Sequence, residues 1–186
     1  MTIHSTHPFA DPHRDPFRAL RGRLGGVVTL WTAGGAGGGG GGGGGGDRAG
    51  LTVTSLMVAN GEPGRVLGLL DPDADLTLAL EETERGVVQL LRWRHRDLAE
   101  MFAGVAPAPG GVFRHGDFAD GPAGPRLTDA AGWAEVRLES AVDVGWSRLV
   151  TCVVEAVELA DEGTSDGSAD SADALLVHRR GRYARA

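Results

Sequence analysis

Thr52, Thr54 and Ser55 fall within four residues of one another, inside the otherwise apolar stretch Leu51 to Val58 and directly after Gly50. Hydroxyls and main-chain amides grouped like this can line a ligand crevice, and the same residues also suit the solvent side of an ordinary strand. A Ser-His-Asp relay can be assembled from Ser55, His95 or His115 and several aspartates, but no nucleophile elbow surrounds any serine. Outside the N-terminal tail, where His4 and His7 lie three apart, no histidine pair has the spacing of a helical metal face. Asp71, Asp73 and Asp75 could chelate a hard cation, yet the glycine and distal glutamate of a calcium loop are missing, and capping a helix is the alternative role. All 18 basic residues are arginine, which removes Schiff-base and P-loop lysine chemistry. The single cysteine, Cys152, lies in the apolar run Leu149 to Val154 and reads as a buried, inert thiol.

The elements that must position these groups are mostly strands. Strand-like pieces read at Gly26 to Ala33, Leu51 to Val58, Arg65 to Leu70, Gly86 to Leu91, Ala134 to Val144, Arg148 to Leu159 and Ala174 to Val177, rich in Val and Leu and bounded by Gly, Pro or Asp. The first two are expected to pair as a hairpin whose tip carries twelve of the 31 glycines, between Gly34 and Gly46. Such a tract offers nothing to bury and should be a mobile loop, which costs little because closure entropy grows only logarithmically with length.

Three short helices are expected. Pro16 to Leu24 spaces Phe17, Leu20 and Leu24 on one face; a second follows Asp73 or Asp75 as N-cap and carries Leu76 and Leu80; a third runs from about Arg94 to Ala103 with Leu98, Met101 and Phe102. Core packing is the expected use of all three stripes. Between Val105 and Ala131 the density of Gly and Pro predicts a long irregular loop that Phe113, His115 and Phe118 dock onto the body. Residues 161–173 read as a second soft loop, and residues 1–15 as a flexible tail.

Composition bounds the class. The chain has 186 residues, 41% apolar and 23% charged, which fits one globular domain over 16–184. A net charge of −7 disfavours nucleic acid. No apolar run approaches a membrane span, and the N-terminus lacks the basic start and apolar middle of a secretory signal, so a cytoplasmic location is expected. Many short strands with few helices indicate a mainly β fold, a β-barrel with helical additions.

Several stretches resemble one family. Gly-Leu-Thr-Val-Thr-Ser-Leu at 50–56, Gly61 to Leu70, Gly86-Val-Val-Gln-Leu-Leu91, Leu98-Ala-Glu-Met-Phe-Ala-Gly104, Gly124-Pro-Arg-Leu127 and Leu175 to Tyr183 follow, in order and spacing, the flavin reductase family. The resemblance implies a Greek-key split β-barrel of the FMN-binding type. It also implies a homodimer that holds FMN or FAD at the subunit interface, takes hydride from NAD(P)H, and supplies reduced flavin to a monooxygenase.

By the same resemblance Thr52, Val53, Thr54 and Ser55 hold the ring and ribityl chain, with Gln89 nearby and Asp71 and Asp73 in the phosphate region. The flavin carries the chemistry, so no acid or base residue is required. Two departures stand out. The aspartates sit where relatives carry Ser or Arg for the phosphate, leaving the following helix N-terminus, with Arg65, Arg85, Arg92 or Arg94 as candidate counter-charges. Trp146 and Ser147 occupy the region where the family often has a histidine. Competing readings are a split-barrel dimer that binds flavin, deazaflavin or haem without turnover, and a hydrolase built on Ser55.

Overall fold

A computed structural model describes residues 16–35, 48–160 and 173–186. The tail, most of the glycine tract and nearly all of the 161–173 loop lie outside the described residues. Seven strands form one antiparallel sheet: β2 (Thr29–Ala33), β3 (Ala49–Val53), β4 (Leu56–Ala59), β5 (Arg65–Leu70), β6 (Arg85–Leu90), β9 (Gly132–Val144) and β10 (Ser147–Leu159). Their spatial order is β3-β2-β6-β9-β10-β5-β4. The fold is mainly β, a split barrel with few helices, as expected.

The order carries the key constraint. β3 and β4 are consecutive in the chain but lie at opposite edges of the sheet, and only Thr54 and Ser55 separate them. The three Cα-to-Cα steps from Val53 to Leu56 span at most about 11 Å even when extended. The sheet must therefore curl until its edges meet at Thr54 and Ser55. The single strand expected over Leu51 to Val58 is thus two strands, broken at the hydroxyl pair.

Curling creates an interior. Trp31, Val66, Leu70, Leu76, Leu80, Val136, Val150 and Cys152 fill it, each at most 5% exposed. The Trp31 ring lies so close over Gly68 that a Cβ there would sit 2.9 Å from the ring, so the strand needs glycine at that point. Helix α2 (Asp75–Thr83) seals one end with Leu76 and Leu80. Its N-cap is Ala74, and no side chain caps it. Neither Asp73 nor Asp75 is the cap: Asp71 Oδ1 accepts the Asp73 amide in a local turn, and Asp75 begins the helix. At the other end Glu84 takes the left-handed conformation, two residues before the expected Gly86.

A second cluster forms around α3 (Arg96–Phe102), where Leu98, Ala99 and Phe102 meet Val28, Leu30, Leu91, Leu127 and Leu176. Phe102, Phe113 and Phe118 pack edge to face with centroids 5.1–6.0 Å apart, so the 105–131 segment docks through its aromatics as expected. That segment also contains the short antiparallel pair β7 (Phe118–Ala119) and β8 (Arg126–Leu127). A third, small sheet joins β1 (Gly26–Val27), β11 (Leu176–Arg179) and β12 (Arg182–Arg185), the last a strand the sequence analysis did not separate.

Helix α1 (Pro16–Leu24) forms where expected, but its stripe is not core. Phe17, Leu20 and Leu24 are 79%, 55% and 75% exposed. The helix is held by its other side, where the Arg180 amide donates to the Gly22 carbonyl at 2.7 Å, which turns the apolar face outward.

Candidate functional site

The seam where the sheet edges meet is held on both sides of Thr54. On the β3 side, the Thr29 hydroxyl donates to the Val53 carbonyl at 2.7 Å, and the Thr52 hydroxyl donates to Ala99 O at 2.7 Å, fastening β3 to α3. On the β4 side, Ser55 and Leu69 exchange bonds: the Leu69 amide donates to Ser55 O at 3.0 Å and the Ser55 hydroxyl to Leu69 O at 2.7 Å. Gly26 lies beneath the Thr54 carbonyl, too close for any side chain.

Thr54 itself is exposed, and its hydroxyl makes no hydrogen bond among the described residues. Val53 is buried under the seam. The structure thus brings Thr52, Val53, Thr54 and Ser55 to one place and leaves one hydroxyl open.

From the seam an apolar wall runs across the outer face of the sheet. Register places Met57 beside Leu67, and Leu69, Leu149 and Val142 in one row across three strands. Met57, Leu69 and Val142 are 64%, 41% and 52% exposed. Trp146, at the β9–β10 turn, is also exposed. Exposed apolar side chains grouped in this way make the patch a candidate contact surface.

Gln89 lies elsewhere in depth. It is fully buried: its Nε2 donates to Thr32 Oγ1 at 3.0 Å and to Pro125 O at 3.3 Å, and its Oε1 accepts the Leu127 amide at 2.5 Å. All its polar atoms are committed to protein, so its contribution is to hold the 125–127 segment. Asp71 and Asp73 are exposed at the turn leading into α2.

The candidate counter-charges are all engaged by carboxylates. Arg65 pairs with Glu139 at 2.7 Å, Arg85 with Glu155, Arg92 with Asp173, and Arg94 with Asp129 and Asp173.

A second constellation was not assembled from sequence. His95 is buried at the start of α3, with Nδ1 accepting the Arg92 amide at 3.1 Å, which puts the ring proton on Nε2. Nε2 lies 3.1 Å from Asp129 Oδ2, off the line of a proper hydrogen bond. Burial lowers the His95 pKa, and the neighbouring arginines add to this, outweighing the Asp129 carboxylate. Burial raises the Asp129 pKa, but His95 and Arg94 together pull it below its ordinary value. These residues border a cavity of about 460 Å³ with Leu98, Met101 and Leu127. Ser55 takes no part in this contact, since its hydroxyl is spent on Leu69, so the relay expected of a hydrolase is not assembled.

Only the tertiary pairing of the 127–129 segment with the start of α3 reveals this group. No cluster of three or more metal-ligating side chains converges among the described residues.

A family model, flavin reductase like domain, matches residues 21–186. The chain belongs to the flavin reductase family. Solved structures agree at the level of fold. The Streptomyces globisporus C-1027 NADH:FAD oxidoreductase SgcE6, in complex with NAD and FAD fragments, superposes with a TM-score of 0.74 at 19% identity, over 95% of this chain and 94% of that one. The styrene monooxygenase flavin reductase SMOB from Pseudomonas putida S12 gives 0.70 at 21% identity, over 90% and 95%. A homolog of nitrilotriacetate monooxygenase component B from Mycobacterium thermoresistibile gives 0.73 at 19%, over 90% and 83%. No curated protein sequence matches the chain. Among the described residues no helix is long and apolar enough to cross a membrane.

Proposed function

We propose that this flavin reductase family member is an NAD(P)H-dependent flavin reductase that works as a homodimer, with FMN or FAD against the seam and the reduced flavin passed on to a monooxygenase. The observation that carries the reading is the open hydroxyl of Thr54, held between two pinned neighbours at the head of an exposed apolar wall. This donor set suits a flat heterocycle with one polar edge: Thr54 and the backbone of the seam for the edge, Met57 and Leu69 for the ring. When bound, the flavin supplies a hydride acceptor, and transfer then depends on orientation more than on any protein acid or base.

Each residue has a defined task. Thr54 donates to the ring edge. Ser55, fixed by Leu69, sets the angle at which the backbone meets the ligand, while Thr52 and Val53 brace that backbone from α3 and the core. Met57, Leu69 and Val142 exclude water once a second copy covers them. Gln89 positions the loop at 125–127 rather than touching the ligand.

The phosphate end is weaker. Arg65, Arg85, Arg92 and Arg94 are neutralised by carboxylates and Asp71 and Asp73 add negative charge, so the N-terminus of α2 is left to take a phosphate through its amides. Flavin is therefore held as an exchangeable substrate.

The test is loss of reduced-nicotinamide absorbance with purified protein, with and without added FMN or FAD. Oxidation that requires flavin supports the proposal. Oxidation indifferent to flavin, or protein that neither binds flavin nor turns over, refutes it; flavin binding without turnover returns the assignment to a binding module.

A further inference from the structure

The charges of this acidic chain are segregated. Seven of its 18 arginines, and none of its 25 acidic residues, fall within 16–35 and 174–186. Residues 16–27 of the first stretch, which hold its three arginines, form one structural unit with 174–186. α1 rests on β11 through the Arg180 to Gly22 hydrogen bond, the Arg179 side chain lies against Gly25, and β1, β11 and β12 form a sheet of their own. Arg21, Arg23, Arg179, Arg180 and Arg182 are exposed, and none forms an ion pair with a described residue. Elsewhere the arginines are mostly paired with carboxylates, as at Arg48, Arg65, Arg92, Arg94 and Arg148. The lobe also turns outward the apolar side chains of Leu20 and Leu24, which a helix of a folded domain ordinarily buries.

We infer that this lobe, α1 with the β1–β11–β12 sheet, is a docking surface for a protein face that carries acidic side chains around an apolar centre. Exposed arginines with no ion pair among the described residues, set beside exposed leucines, match the make-up of protein interfaces, where arginine is enriched and the buried centre is apolar. Charge extent separates this partner from other polyanions. A bilayer or a nucleic-acid duplex runs well past the lobe and meets the rest of the molecule, which holds all 25 acidic residues against 11 arginines, within a Debye length of about 8 Å. A protein patch of standard size, about 800 Å² on each side, can be confined to the lobe. The inference goes beyond flavin turnover and does not require it.

Fluorescence anisotropy of labelled poly-L-glutamate, titrated with the full-length chain at low salt and without flavin, tests the surface. Duplex DNA and phosphatidylcholine vesicles containing phosphatidylglycerol serve as parallel probes. Binding to poly-L-glutamate should weaken by about tenfold or more in the triple variant Arg21→Glu/Arg180→Glu/Arg182→Glu, with melting temperature and elution volume unchanged. The leucine part is checked separately with a labelled glutamate–leucine copolymer: the uncharged change Leu20→Ser should weaken binding to it while keeping the same melt and leaving poly-L-glutamate binding unchanged, and unchanged copolymer binding overturns the apolar centre.

An Arg114→Glu control, outside the lobe, should bind like the parent protein. The inference is overturned by absent binding, by equal loss in the control, or by tighter binding to DNA or vesicles than to poly-L-glutamate. It is also overturned if the triple variant shifts the oligomeric state, since the lobe would then belong to an interface between copies. Flavin-dependent turnover that survives in the triple variant leaves the enzymatic reading standing on its own evidence.

Discussion

Gln89 Oε1 accepts the Leu127 amide at 2.5 Å inside a fully buried pocket of the barrel wall, joining strand β6 to a segment 38 residues away. Folding supplies this amide with an acceptor where no water reaches. Replacing Gln89 by Met keeps the volume but strands the Leu127 N–H. The expected loss is about 2–3 kcal/mol, the cost of an unsatisfied buried donor and a lost neutral bond. Urea unfolding measures it; an unchanged midpoint means the segment has another anchor.

At the seam, two neighbouring hydroxyls should behave differently. Thr54→Val removes the open donor and should raise the flavin KM or Kd by about fivefold to tenfold, the worth of a typical net hydrogen bond of about 1 kcal/mol, with stability unchanged. Ser55→Ala removes the bond to Leu69 O, so it should lower the melting temperature as well as flavin affinity. Flavin titration followed by fluorescence, beside a thermal melt of each variant, separates the two. Equal effects of both substitutions on stability would show that Thr54 is also structural.

Acid should loosen the molecule through His95. Its folded pKa lies below the ordinary histidine value because the ring is buried and kept neutral, so the unfolded chain binds the proton more readily. Stability from this group is therefore complete above about pH 6.5, the unfolded value, and is lost as pH falls below it. The lowered Asp129 pKa acts in the same sense at more acidic pH. Urea midpoints measured from pH 7.5 down to pH 5.5 should fall in the parent protein and fall less in His95→Gln. A parallel decline in both proteins would assign the acid sensitivity to other groups.

Cys152 should be chemically silent in the folded protein. It is fully buried, and burial pushes its thiol pKa up to about 12. A thiol-reactive chromophore should label one equivalent in denaturant and almost none in native buffer. Fast native labelling would mean that β10 opens readily.

Much of the fold was legible because local pattern and tertiary role coincide. Arg65 to Leu70 alternates buried and open positions and forms the strand expected there, and the paired aromatics Phe113 and Phe118 dock their loop onto Phe102. What was not legible depends on which distant residues meet. Nothing in Leu51 to Val58 says that the chain changes sheet edge at Thr54, since the break follows from the closure of seven strands. The α1 stripe has the spacing of a buried face, and only the Arg180 to Gly22 contact shows which side is held. Likewise each of Arg65, Arg85, Arg92 and Arg94 looked available until Glu139, Glu155, Asp129 and Asp173 came beside them.

The two-residue link between β3 and β4 has one more consequence. Because it stitches opposite rims of a single sheet, any guest that wedges it must alter curvature all the way round, through β2, β6, β9, β10 and β5. The indole of Trp31, pressed on Gly68 across the hollow and donating to the Thr29 hydroxyl that in turn holds the Val53 carbonyl, ties the far wall of the barrel to that link.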